Sequence, residues 1–168
     1  MRELTFKGYL EQQLCEMSGY KSKSLYKFAK SSADNARLKN VLCLYLNNYA
    51  KDSLKIKIRK KYPAIADECK KTEYKSAESF DDSLSDYKTI YENYLYKRDL
   101  KNSENKIIRL MQKQITLAKQ EKGISNYRIY KSLNLNPGNI NAFLTNGDVT
   151  KVGLNTARTI LAFVRDYR

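Results

Sequence analysis

A protein without histidine lacks the commonest general base and the commonest metal ligand, and this 168-residue chain has none. Serine–histidine and cysteine–histidine nucleophiles are therefore excluded. The three cysteines, Cys15, Cys43 and Cys69, are odd in number and widely spaced. That pattern argues against a disulfide framework and a zinc site, and for reduced, partly buried thiols in a cytosol. The carboxylates Asp81 and Asp82 sit in polar sequence and read as solvated helix-start residues. No glycine-rich phosphate loop is present. The expectation is a protein that is not an enzyme, with no cofactor and no metal. What remains is basic chemistry. Lysine and arginine number 32 against 18 acidic residues, a net charge of +14. A field of that size attracts polyanions, nucleic acid first and an anionic membrane surface second. Residues 101–168 are the denser part, with 12 basic against 4 acidic residues.

The elements that must position this charge read as helices. Two prolines and six glycines leave few breaks, and Lys-, Glu-, Leu- and Tyr-rich stretches favour helix. The fold class expected is all-α. An N-terminal helical domain (1–100) should be followed by a second domain (104–168). In the first, helices are expected over 4–18, 24–30 and 37–49. The last of these carries Leu38, Val41, Leu42, Tyr45, Leu46 and Tyr49 on one face. Residues 51–61 are ambiguous. Leu54, Ile56 and Ile58 alternate with charges as in a strand, although a basic helix with an accessory phosphate-binding face fits too. Tyr62–Pro63 reads as a boundary, followed by a polar stretch to about Ser79. Residues 83–97 line up Leu84, Tyr87, Tyr91, Tyr94 and Leu95 at helical spacing. That stripe is a packing or dimer face, or less plausibly a stacking platform for single-stranded nucleic acid. LKNSEN (100–105) reads as a polar break between the domains. The N-terminus has no apolar leader and no window approaches a membrane span, so a cytoplasmic protein away from membranes is expected.

The second domain is more sharply punctuated. Ile108, Met111, Ile115 and Ala118 define an amphipathic helix over 104–122 with a basic outer face, ended by Gly123. Ser125 is a good N-cap for a short helix from Asn126 to about Leu133. Asn134 falls where the chain must turn, and asparagine tolerates the left-handed region. Leu135 plugs the turn. Asn136 caps the next helix, with Pro137 at its first position. Ile140 and Phe143 point inward, and Asn146–Gly147 closes it. Two short helices with a tight turn, behind a longer helix, describe a helix-turn-helix.

The run from Lys119 to Gly147 resembles the lambda-repressor-like, Xre-type helix-turn-helix family. Lys122, Gly123, Ile124, Ser125, Ile129, Leu133, Leu135 and Ile140 fall on the family pattern without a gap. The later Leu154, Ala157, Leu161 and Val164 resemble its closing helix. Tyr130 stands where the family has a small alanine, Asn134 replaces its turn glycine, and Asn146 stands at the glycine after the third helix. The resemblance implies that the helix at 136–145 enters the major groove of double-stranded DNA. Direct base reading would then fall to Asn136, Asn139 and Asn141, with Gly138 offering its backbone; asparagine pairs bidentately with adenine. The family's phosphate anchors map onto Asn126 and Thr145. Lys131, Lys151, Asn155 and Arg158 are nearby candidates for the same role.

The reading is a sequence-specific, double-stranded DNA-binding transcriptional regulator. It is expected to be a homodimer through its N-terminal helices, since pairing half-sites is the usual route to useful affinity. The rival is a phage or mobile-element inhibitor or antitoxin that binds a protein partner through residues 1–100, with the helix-turn-helix serving autoregulation.

Overall fold

A computed structural model describes residues 4–21, 24–73 and 75–167. The chain is all-α: among those residues it holds nine α-helices and three short 3-10 turns, and no strand. None of these helices is long and apolar enough to cross a membrane. The chain divides into two compact units, residues 4–98 and residues from 99 onward.

In the first unit, α1 (Phe6–Ser18) starts from Thr5, whose hydroxyl accepts from Gly8 N at 3.1 Å, and ends at Gly19 with φ 72°. After α2 (Leu25–Ser31), α3 (Ala36–Tyr49) forms the centre. Leu38, Val41, Leu42, Cys43, Leu44 and Leu46 are all buried, so α3 is covered on several sides by α1, α2 and the fifth helix.

Residues 52–61 form a helix, α4 (Asp52–Lys61). On a helix, Leu54 and Ile58 share a face and Ile56 points away. Accordingly Ile58 is fully buried, Leu54 half-buried and Ile56 exposed. Lys57, Lys60 and Lys61 are exposed beside it.

Pro63 does not introduce a loop. It occupies the first position of α5 (Pro63–Lys70), which buries Ile65 and Cys69 against α3. Two 3-10 turns, Ala77–Ser79 and Asp82–Leu84, lead into the next helix.

The tyrosines at 87, 91 and 94 face inward. Tyr87 and Tyr94 are buried, and Phe6 meets Tyr91 edge-to-face with ring centroids 5.3 Å apart. They are core residues, which removes the stacking platform.

The sixth helix, α6 (Ser85–Glu121), runs 37 residues. The polar segment 100–105 is helical, not a break. It lacks proline and glycine, Lys101 pairs with Glu104 at 2.9 Å one turn apart, and Asn105 is buried. In the second unit, the end of α6 packs with α7 (Asn126–Ser132), α8 (Pro137–Asn146), a 3-10 turn (Val149–Lys151) and α9 (Leu154–Asp166). Its core joins Ile108 and Ile115 of α6, Ile129 of α7, Ile140 and Phe143 of α8, and Ala157, Ile160 and Val164 of α9.

Candidate nucleic-acid interface

The connection between α7 and α8 is made by residues whose chemistry suits each position. Ser125 Oγ accepts from Arg128 N at 3.2 Å and starts α7. Asn134 adopts φ 51°, the one positive φ outside glycine among the described residues. Leu135 N then donates to Tyr130 O at 2.9 Å and its side chain packs on the core. Tyr130 is half-buried and meets Tyr127 edge-to-face at 5.4 Å, so the bulk that replaces a small residue is accommodated toward the surface. Asn136 Oδ1 accepts from Asn139 N at 3.0 Å and caps α8, with Pro137 at its first position. A Cβ on Gly138 would come within 3.3 Å of that capping oxygen. Glycine therefore keeps the cap uncrowded and the backbone of the first turn bare. At the far end Gly147 takes φ 69° and closes the helix.

Helix α8 is thus split along its length. Ile140, Phe143 and Leu144 are buried, whereas Asn136, Gly138, Asn139, Asn141 and Thr145 are exposed. The buried side fixes the helix, and the exposed side is polar and uncharged.

A polar cluster braces α7 against α8. Asn126 Nδ2 donates to Asn141 Oδ1 and to Thr145 Oγ1, both at 3.1 Å. Lys119, in the last turn of α6, donates from Nζ to Asn126 Oδ1 at 2.5 Å. A side-chain amide has two N–H donors, so Asn126 spends both inside the protein. Its backbone N–H, at the first position of α7, has no partner within the helix. The same accounting separates the three asparagines of α8. Asn136 gives its oxygen to the cap and Asn141 gives its oxygen to Asn126. Among the described residues, Asn139 alone of the three makes no side-chain hydrogen bond, so its donors and acceptor are all unengaged, as bidentate pairing would use them.

The structure brings Asn126, Asn141 and Thr145 together by direct bonds. Lys131, Asn155 and Arg158 are exposed on α7 and α9, and no hydrogen bond links them to that cluster. Lys151 lines a different feature, an open cavity of about 750 Å³ bordered also by Lys101, Asn105 and Arg109. Beside it, the Thr150 hydroxyl and then the Thr150 N–H hold the Asp148 carboxyl below the usual carboxylate range. Lys119 is the participant that sequence reasoning missed, although the basic outer face of its helix contained the signal. Tyr127, next to Asn126, is 60% exposed. Lys122 does not face the cluster; its Nζ donates to the Arg165 and Tyr167 carbonyl oxygens at 2.5 and 2.7 Å, tying down the end of α9.

The fold and site define an all-α protein with an exposed, cross-braced pair of short helices in a basic setting. No family model, curated protein or solved structure matches the chain.

Proposed function

We propose that the chain is a sequence-specific double-stranded DNA-binding protein of the lambda-repressor-like, Xre-type class, acting as a dimeric transcriptional regulator. Helix α8 enters the major groove and α7 lies across the phosphate backbone. One observation carries the reading: α8 buries its apolar side while its polar side, held by Asn126, stands exposed in a segment with 12 basic against 4 acidic residues. Asn139 is the base-reading residue. The backbone N–H of Asn126, the hydroxyl of Thr145 and the remaining donors of Lys119 meet phosphates. Lys131, Lys151, Asn155 and Arg158 supply weaker contacts to the backbone of the duplex.

Selection of bound sequences from a random duplex pool tests this. A consensus containing adenine is expected, and Asn139→Ala should weaken binding to it by about 1–3 kcal/mol while relaxing preference at one position. A pool that emerges without a consensus, or binding that ignores Asn139, refutes the reading.

A further inference from the structure

Helix α6 carries a second apolar stripe that the DNA reading leaves unused. Leu100, Ile107, Leu110 and Leu117 are 58%, 44%, 62% and 59% exposed. With the exposed Ser103 and Gln114 they recur at alternating steps of three and four residues, the spacing of an a/d heptad seam. The inward stripe of the same helix, Ile108 and Ile115, is already buried in the core of its own unit. A helix with two apolar faces can take two packing partners, and the described residues bury only one of these faces.

We propose that this seam pairs with the same seam of a second copy of the chain. The inference deepens the dimeric reading above and moves the dimer surface from the N-terminal helices to α6.

Three observations favour a second copy as the occupant. The seam reads the same from both ends: apolar, polar, apolar, apolar, polar, apolar. A parallel copy sets each residue against itself. An antiparallel copy sets Leu100 on Leu117, Ser103 on Gln114 and Ile107 on Leu110. Apolar therefore meets apolar in either direction, which an unrelated partner has no need to match. The residue choice is compatible with two strands, with Leu100, Ile107 and the polar Gln114 at a and Ser103, Leu110 and Leu117 at d. Gln114 is already ordered, since Arg165 donates to its Oε1 at 3.0 Å. The size fits as well. The four side chains make an apolar patch on the order of 400 Å², in the range where an exposed patch marks an interaction site. Two such faces, with the stems of Lys106 and Lys113 beside them, reach the low end of specific interfaces, about 1,200 Å² in total. That size belongs to a dimer that dissociates on dilution.

Lys106 and Lys113 flank the seam, so two copies repel at their edges. Association must then tighten as salt screens the lysines, the opposite of the salt response of DNA binding. Sedimentation equilibrium of the full chain without DNA reads the sign for association, and a gel shift on duplex DNA reads the other. A reversible monomer–dimer equilibrium is expected, severalfold tighter at about 0.5 M than at about 0.1 M salt. Leu110→Glu should weaken it about tenfold or more, because a charge would enter the seam, and, at concentrations where the parent is monomeric, should leave the melting temperature unchanged because the residue is 62% exposed in one copy. Leu110→Ser is the milder second variant should Glu lower helix content, and it should weaken the dimer by a smaller factor. A chain that stays monomeric up to about 100 µM at both salts, or variants that dimerise as the parent does, overturns the proposal. A dimer that ignores duplex DNA would instead sink the DNA reading and leave this one standing. A monomer that binds duplex DNA would do the reverse.

Discussion

Replacing Asn126 separates bracing from phosphate contact. Asn126→Ala deletes three hydrogen bonds at once: two donated to Asn141 and Thr145 and one accepted from Lys119. The two neutral bonds are exposed, so each belongs at the low end of the net range, about 0.5 kcal/mol. The lysine bond is charge-assisted and part-buried, and contributes about 1 kcal/mol. The sum is about 2 kcal/mol, which for a chain of this length lowers the melting temperature by about 4–8 °C. Asn126→Asp is the informative companion. Aspartate keeps the acceptor for Lys119, gains from the helix N-terminus and loses both donors, so its stability should fall by less than about 1 kcal/mol. On DNA the order reverses. The alanine variant loses the brace that orients α8, whereas the aspartate variant loses the brace and adds a negative charge where the phosphate approaches. Thermal denaturation followed by circular dichroism, with gel-shift titration on a selected duplex, measures both orders. Equal DNA affinities for the two variants, or an alanine variant that melts with the parent, would refute the account of Asn126 as a brace beside a phosphate.

Lys119→Met should lower the slope of log affinity against log salt by about 0.9, since one phosphate contact disappears; an unchanged slope would place Lys119 away from the duplex. Phe143→Ala, at a fully buried position in α8, should cost about 3–5 kcal/mol and abolish DNA binding with the loss of the second unit's cooperative melting. Burial raises the ionisation of Tyr9, Tyr45, Tyr49, Tyr87 and Tyr91 above the ordinary tyrosine value, most strongly at Tyr87, where the hydrogen bond to Glu68 adds to it. Their neutral form is the one the fold favours. The stabilisation is therefore complete below the unfolded value of about 10 and lost as pH rises above it. Part of the tyrosinate absorbance should appear only together with loss of helix, and complete titration of all 14 tyrosines with helix intact would contradict the burial.

The parts of the fold legible in the sequence are those where one residue type has one dominant reason to be there. Asn134, Asn136, Pro137 and Gly147 each answer a backbone requirement, and the bounds of α8 follow from them. The less legible parts are those where a residue serves two purposes. Pro63 ends one helix and begins the next, so reading it only as a boundary hides α5. Leu54, Ile56 and Ile58 alternate as in a strand because Ile56 is an exposed isoleucine on a helix, and exposure does not show in residue type. LKNSEN looks like a linker by polarity alone. Polarity without proline or glycine costs a helix only a few tenths of a kcal/mol per residue, and the apolar stripes on either side supply more than that.

The candidate site carries the same ambiguity in concentrated form. Asn126, Asn136, Asn139 and Asn141 are chemically identical, and each is a reasonable cap, brace or base reader when seen only in sequence. What distinguishes them is which lone pairs and N–H groups the fold has already used. Capping engages the oxygen of Asn136, bracing uses both donors of Asn126 and engages the oxygen of Asn141, and the Asn139 side chain is left intact. Bidentate recognition needs a donor and an acceptor on one planar group, so hydrogen-bond accounting, which depends on three-dimensional neighbours, favours Asn139 as the proposed reader among four candidates that are equal in sequence. On the proposed DNA reading, specificity at this site would rest on Asn139, the asparagine the protein does not use to hold itself together.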